Sequence, residues 1–175
     1  MADIVEIVAD TLFSSRTVTV RDTCCQNTCK HESAEECTTS TQLVFPYRGV
    51  YVRHVGQQQA VAEANQVLFF NAWQGYRISH PVSGGDASLT ILVDETQLHE
   101  LTRREWLAES PGVIFHPQRL RIDARTQALV ARLRHHLRRR AQYGRFHDQS
   151  RIGGNDRPSA SPVPTIDQIQ CTGGR

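Results

Sequence analysis

The sequence predicts a mainly β protein with helices towards its C-terminus: a small antiparallel barrel or sandwich followed by a helical segment. Two patterns carry this. Between Gln42 and Asp94, about six or seven short runs of β-branched and aromatic residues alternate with glycine-containing or polar turns. Apolar spacing of helical period begins only beyond Thr96. The length of 175 residues and the apolar fraction of 39% suit one domain with a modest core and an appendage.

Residues 1–15 form an apolar and acidic lead, either a helix or an edge strand. Thr17–Arg21 (TVTVR) alternates as a strand does. Asp22–Thr41 is polar and cysteine-rich and reads as a loop. Gln42–Pro46 and Gly49–Val55 are strands. In the second, Tyr51, Arg53 and Val55 share one face, and Val50, Val52 and His54 share the other. A turn at Gly56–Gln58 leads into Gln59–Ala62, and Gln66–Asn71 and Gly75–His80 follow as strands. Ser83–Asp86 is a tight turn, because its two glycines tolerate positive φ, and Ala87–Asp94 closes the series. The expected barrel therefore spans 16–94.

The helical segment spans 95–147. Thr96–Ala108 places Leu98, Leu101, Trp106 and Leu107 at helical spacing. Ile122–Gln142 is the strongest helix, with Asp123 near its start and a stripe of Leu129, Val130, Leu133 and Leu137. From Asp148 periodicity vanishes, and residues 153–175 hold four glycines and three prolines. Residues 148–175 read as a disordered or loose tail.

No apolar run is long enough to span a bilayer, and Asp3, Glu6 and Asp10 interrupt the start, so an unexported, cytoplasmic chain is expected. The net charge of +2 hides an asymmetry. His116–Phe146 carries nine arginines and one acid, and the rest of the chain is net −6. The run RLRHHLRRR (132–140) fits phosphate binding, but its intact apolar stripe favours a solvated helix packed on the barrel or on a second protomer. Cys24, Cys25, Cys29 and Cys37 crowd one window with His31. Without an export signal, thiols or a metal are expected there rather than disulfides. Cys25, Cys29, His31 and Cys37 form the weak zinc alternative, with no second CxxC or HxxxH to close it.

The runs LVFPYRGVYVRHVG (43–56), ANQVLFFN (64–71) and YRISHPVSGGD (76–86), in this order and separation, resemble the N-terminal sensor domain of AraC-family transcriptional regulators. The resemblance covers about Val18 to Arg145 and is specific as a set rather than motif by motif. It implies a small cupin-type barrel followed by linker and dimerisation helices. It further implies a small-molecule effector of unknown identity, a homodimer, and DNA binding only through a separate helix-turn-helix domain. That domain has no counterpart after Gly144, where no pair of apolar helices with a short turn follows.

Metal-dependent cupins place a His-x-His and a carboxylate on one strand pair and a further histidine on a later strand. This chain has no His-x-His, and Asn71–Tyr76 puts Tyr76 where that later histidine would stand. No metal, no cofactor and no catalytic residue are therefore expected, and the chain is read as a regulator rather than an enzyme. The candidate ligand-binding residues are Arg53, His54, Tyr76 and His80. Each has a plainer reading. Arg53 either faces solvent or grips a carboxylate inside the barrel, and one residue of register decides. His80, extended before Pro81, either fixes a strand end or orients a ligand. Asp86 is read as a turn residue. The alternatives are a small metal-dependent cupin enzyme and a zinc or thiol module on the cysteine cluster.

Overall fold

The computed structural model describes residues 7–26, 30–110, 112–151 and 168–170. The expected mainly β architecture with C-terminal helices is present. Its strands are β1 (Ile7–Ser14), β2 (Val18–Cys25), β3 (Glu36–Thr38), β4 (Gln42–Arg48), β5 (Tyr51–Val55) and β6 (Gln58–Ala62). They continue with β7 (Gln66–Phe70), β8 (Arg77–Ser79), β9 (Asp86–Val93), β10 (Arg119–Arg121) and β11 (Gln168–Gln170). The helices are α1 (Glu95–Leu101) and α2 (Ala124–Arg151). A six-stranded antiparallel sheet in the order β1-β2-β9-β4-β7-β10 faces a three-stranded sheet in the order β6-β5-β8, and β3 pairs with β11.

The alternation of side chains divides the molecule into two apolar layers. Between the sheets, Val44, Tyr51, Ala62, Leu68, Phe70 and Tyr76 form one core. On the outer face of the large sheet, Val67 and Phe69 meet Leu98, Val113 and Phe115 in a second. The Phe69 and Phe115 rings stack with centroids 4.0 Å apart. The run Gln66–Phe70 is buried on both faces, so the four residues after Gln66 are continuously apolar instead of alternating.

Several boundaries differ from the sequence reading. The lead resolves as an edge strand, with β1 paired to β2. The presumed loop from Asp22 is ordered at both ends: β2 continues through Cys25, and Glu36–Thr38 forms β3. The expected helix over Thr96–Ala108 stops at Leu101. Thr102 is extended, a 3-10 turn occupies Arg104–Trp106, and Leu107 bridges Phe115. Packing of Trp106 and Leu107 against the outer core overrides the helical spacing there. Arg119–Arg121 is an added edge strand on β7. Asp94 caps α1 by accepting from Thr96 N, and Asp123 accepts from Thr126 N at the start of α2.

Of the expected tail, 148–151 continue α2 and Gln168–Gln170 pair with β3, while the remainder lies outside the described residues. The apolar stripe on α2 is only half used. Leu129 and Leu133 remain exposed, while Val130 and Leu137 are half-buried. What ties α2 to the sheet is polar. Asp22, 2% exposed at its side chain, accepts from Arg134 Nε at 3.0 Å and pairs with Arg138 at 3.2 Å. The Tyr47 hydroxyl donates to the same carboxylate, and the Arg134 guanidinium lies 3.8 Å above the Tyr47 ring.

Candidate functional site

The two sheets do not fill the space between them. Bordering that inner core lies a cavity of about 140 Å³, room for a guest of roughly benzene size. Val44, Phe70, Tyr76 and Ile78 give it an apolar wall. Odd-numbered residues of β2 (Arg21, Thr23, Cys25) and even-numbered residues of β9 (Asp86, Ser88, Thr90) supply the polar wall. Tyr51 reaches in from β5, His80 from just past the end of β8, and Glu36 from β3. Glu36 and Tyr76 exchange both backbone hydrogen bonds, at 2.9 and 2.8 Å, which fixes Tyr76 at the wall.

One corner of the cavity is unusually polar. His80 Nε2 lies 2.8 Å from Asp86 Oδ2, and both residues are buried. Cys25 is the direct ladder partner of Asp86. The donor atoms of Cys25, His80 and Asp86 all lie within 4.8 Å of one another, a set able to hold a metal ion. Hydrogen bonding of the protonated ring to the Asp86 carboxylate, and then to Cys25, outweighs burial and pushes His80 up to about 9. Tyr51, fully buried beside Asp86, is also raised, chiefly by burial. Burial raises Glu36 likewise.

The turn before Asp86 explains why the corner is so tight. Gly84 and Gly85 have φ of +112° and +68°. A Cβ on Gly85 would stand 2.3 Å from the Cys25 carbonyl oxygen, so only glycine lets this turn lie on β2.

Of the four candidate ligand residues, two line the cavity and two do not. Tyr76 and His80 are wall residues. Arg53 points inward, on the same face as Tyr51, but is spent within the core. It is fully buried, donates from NH1 to Phe69 O at 2.7 Å and from NH2 to Gln74 Oε1 at 3.1 Å, and lies 4.2 Å above the Phe70 ring. Burial lowers its pKa to about 10, which leaves it cationic at neutral pH. His54 is on the opposite face, 2.8 Å from Ser79 Oγ and 3.4 Å from Glu32.

The zinc alternative separates. Cys25 belongs to the cavity corner, His31 is exposed, and Cys29 lies outside the described residues. Cys37 is disulfide-bonded, which withdraws its sulfur from metal binding and corrects the expectation of thiols throughout the cluster. Cys24 and Cys25 are thiols. Asp86, read as a turn residue, opens β9 and faces His80 instead. Sequence reasoning missed its partnership with Cys25. Nothing local in the sequence signalled it, because the pairing joins strands some sixty residues apart.

No protein-family profile matches the chain, and no curated relative matches it. Solved structures do. A cupin superfamily protein from Desulfitobacterium hafniense is 18% identical over 51% of this chain and 79% of its own, with a TM-score of 0.42. A candidate mannose-6-phosphate isomerase from Ralstonia eutropha is 11% identical over 51% and 85%, with a TM-score of 0.41. Salicylate 1,2-dioxygenase from Pseudoaminobacter salicylatoxidans is 12% identical over 44% of this chain and 22% of its own, with a TM-score of 0.38. The expectation that the chain is no enzyme is corrected on this ground: the structures similar to it include ones described as enzymes. Among the described residues, no helix is long and apolar enough to cross a membrane.

Proposed function

We propose that this chain is the small-molecule-binding and dimerisation domain of an AraC-type transcriptional regulator. The observation that carries the reading is the cavity between the sheets, with an apolar wall at one side and Tyr51, His80, Asp86 and Glu36 at the other. Concave, mainly apolar sites with a few convergent polar groups are the usual form of a small-molecule pocket. The sequence runs over 43–86 add the resemblance to the regulator family.

In this reading a guest that prefers one arrangement of the sheets and α2 shifts the population towards it, and a DNA-binding domain elsewhere receives that shift. The exposed Leu129 and Leu133 on α2 support self-association. The proposed compartment is the cytoplasm, where the Cys37 disulfide would stand out against the usual reducing poise.

Native mass spectrometry of the as-isolated and the chelator-treated protein is the test. The expected result is a dimer whose chelated form shifts in melting temperature with at least one small organic acid or aromatic compound. A monomer that no compound in such a panel stabilises would sink the reading.

A further inference from the structure

The Cys25, His80 and Asp86 corner is not explained by the binding of an organic guest. A thiol, an imidazole and a carboxylate come from three separate strand ends and meet below the surface. Aligning them has structural requirements. The Gly84–Gly85 turn adopts backbone angles that side chains rarely take, and it rests on the Cys25 carbonyl with no room for a Cβ. The β2–β9 ladder then sets Asp86 directly opposite Cys25. His80 leads into the same turn through Pro81 and aims Nε2 at Asp86.

We propose that Cys25 Sγ, His80 Nε2 and an Asp86 carboxylate oxygen are the protein ligands of a divalent transition-metal ion, zinc in the first instance, with the remaining coordination position open to the cavity. One sulfur, one nitrogen and one oxygen donor match zinc's borderline softness, and three protein ligands with an open position is the arrangement of reactive zinc sites. A thiolate and a carboxylate supply two negative charges, so a doubly charged cation leaves the buried corner neutral. The His80–Asp86 separation of 2.8 Å opens to about 3.3 Å around a tetrahedral ion, which side-chain rotation can provide. The set uses neither Tyr76 nor any other residue at the position where metal-binding cupins carry their later histidine. It also differs from the Cys25, Cys29, His31 and Cys37 grouping. The inference stands whether or not the chain regulates transcription. It adds a Lewis-acidic atom to the cavity, where an anionic or oxygen-bearing guest could complete the coordination.

The test uses the full chain, stripped with chelator and handled anaerobically without added thiol. Titration with Co2+ alone should give one equivalent bound, a thiolate-to-cobalt charge-transfer absorption and the intense visible bands of a four-coordinate ion. Zn2+ should then displace it. Cys25→Ser should abolish the charge-transfer absorption, and Cys24→Ser should retain it, because the Cys24 side chain lies on the other face of β2 beside the Tyr47 hydroxyl. His80→Asn and Asp86→Asn should each weaken Zn2+ binding at least about tenfold. Replacing His31, or the exposed His135 and His136 together, should leave it unchanged. Absence of the charge-transfer absorption in the unsubstituted protein overturns the proposal without recourse to any variant. Its survival in Cys25→Ser, or its loss in Cys24→Ser alone, does the same. Guest-induced stabilisation of the chelated protein is a separate readout, so the organic-ligand reading can fail while the metal site holds, and the reverse.

Discussion

At the residue scale, the pair His80–Asp86 makes stability depend on pH. His80 is raised from 6.5 to about 9 in the fold, so the protonated ring favours the native state. In metal-free protein that stabilisation is fully present below the unfolded value near 6.5. It should fade as pH rises through about 9, with a total of roughly 3 kcal/mol at stake. Urea unfolding at pH 6.5 and pH 9.5 measures it, and His80→Asn should flatten the difference. Arg53 carries a different kind of weight. It is a buried cation whose NH1 holds the Phe69 carbonyl and whose plane rests on Phe70. Arg53→Ala should cost about 3 kcal/mol, because it removes packing volume and leaves a strand carbonyl unmet. A loss below about 0.5 kcal/mol in the same melts would show that the core closes over the gap. That Arg53 shares a face with Tyr51 was legible in GVYVRHV, but whether that face turns inward was not, because one residue of register decides it. Its partners were not, because they lie on β7 and in the loop after it.

At the scale of elements, the ionic tie of α2 to the large sheet is the least expected feature. Asp22 sits in a stretch read as loop, and Arg134 in a run read as solvated. Asp22→Ala strands two guanidiniums and removes the acceptor of the Tyr47 hydroxyl. We expect it to cost about 3 kcal/mol and to speed amide exchange across 124–143. Arg138→Ala, whose side chain is 43% exposed, should cost under about 1 kcal/mol. Equal effects of the two would place the tie elsewhere. The same stretch shows why hydropathy failed here. Asp22 and Cys24 face the helix, and Thr23 and Cys25 face the cavity, so neither face of this half of β2 is apolar. Where the run was apolar on both faces, as in Gln66–Phe70, or rich in β-branched and aromatic residues, as in Tyr51–Val55, the strands were read correctly. The short β3 and β10 are pinned by backbone pairing to distant strands, which leaves little local trace.

At the scale of the whole molecule, strand β2 is a party wall. Its residues alternate between two rooms: a cavity with a thiol and two hydroxyl- or guanidinium-bearing side chains on one side, and the seat of a 28-residue helix on the other. Asp22 and Cys25 are three residues apart, about 10 Å along an extended chain. The β2–β9 ladder holds all eight positions in unbroken register, so Asp22 and Cys25 stand on one continuous ladder. A guest that bowed it outward would therefore move the footing of Arg134 and Arg138 on Asp22. The helix would in turn carry that displacement along its length, far beyond the cavity in which it began.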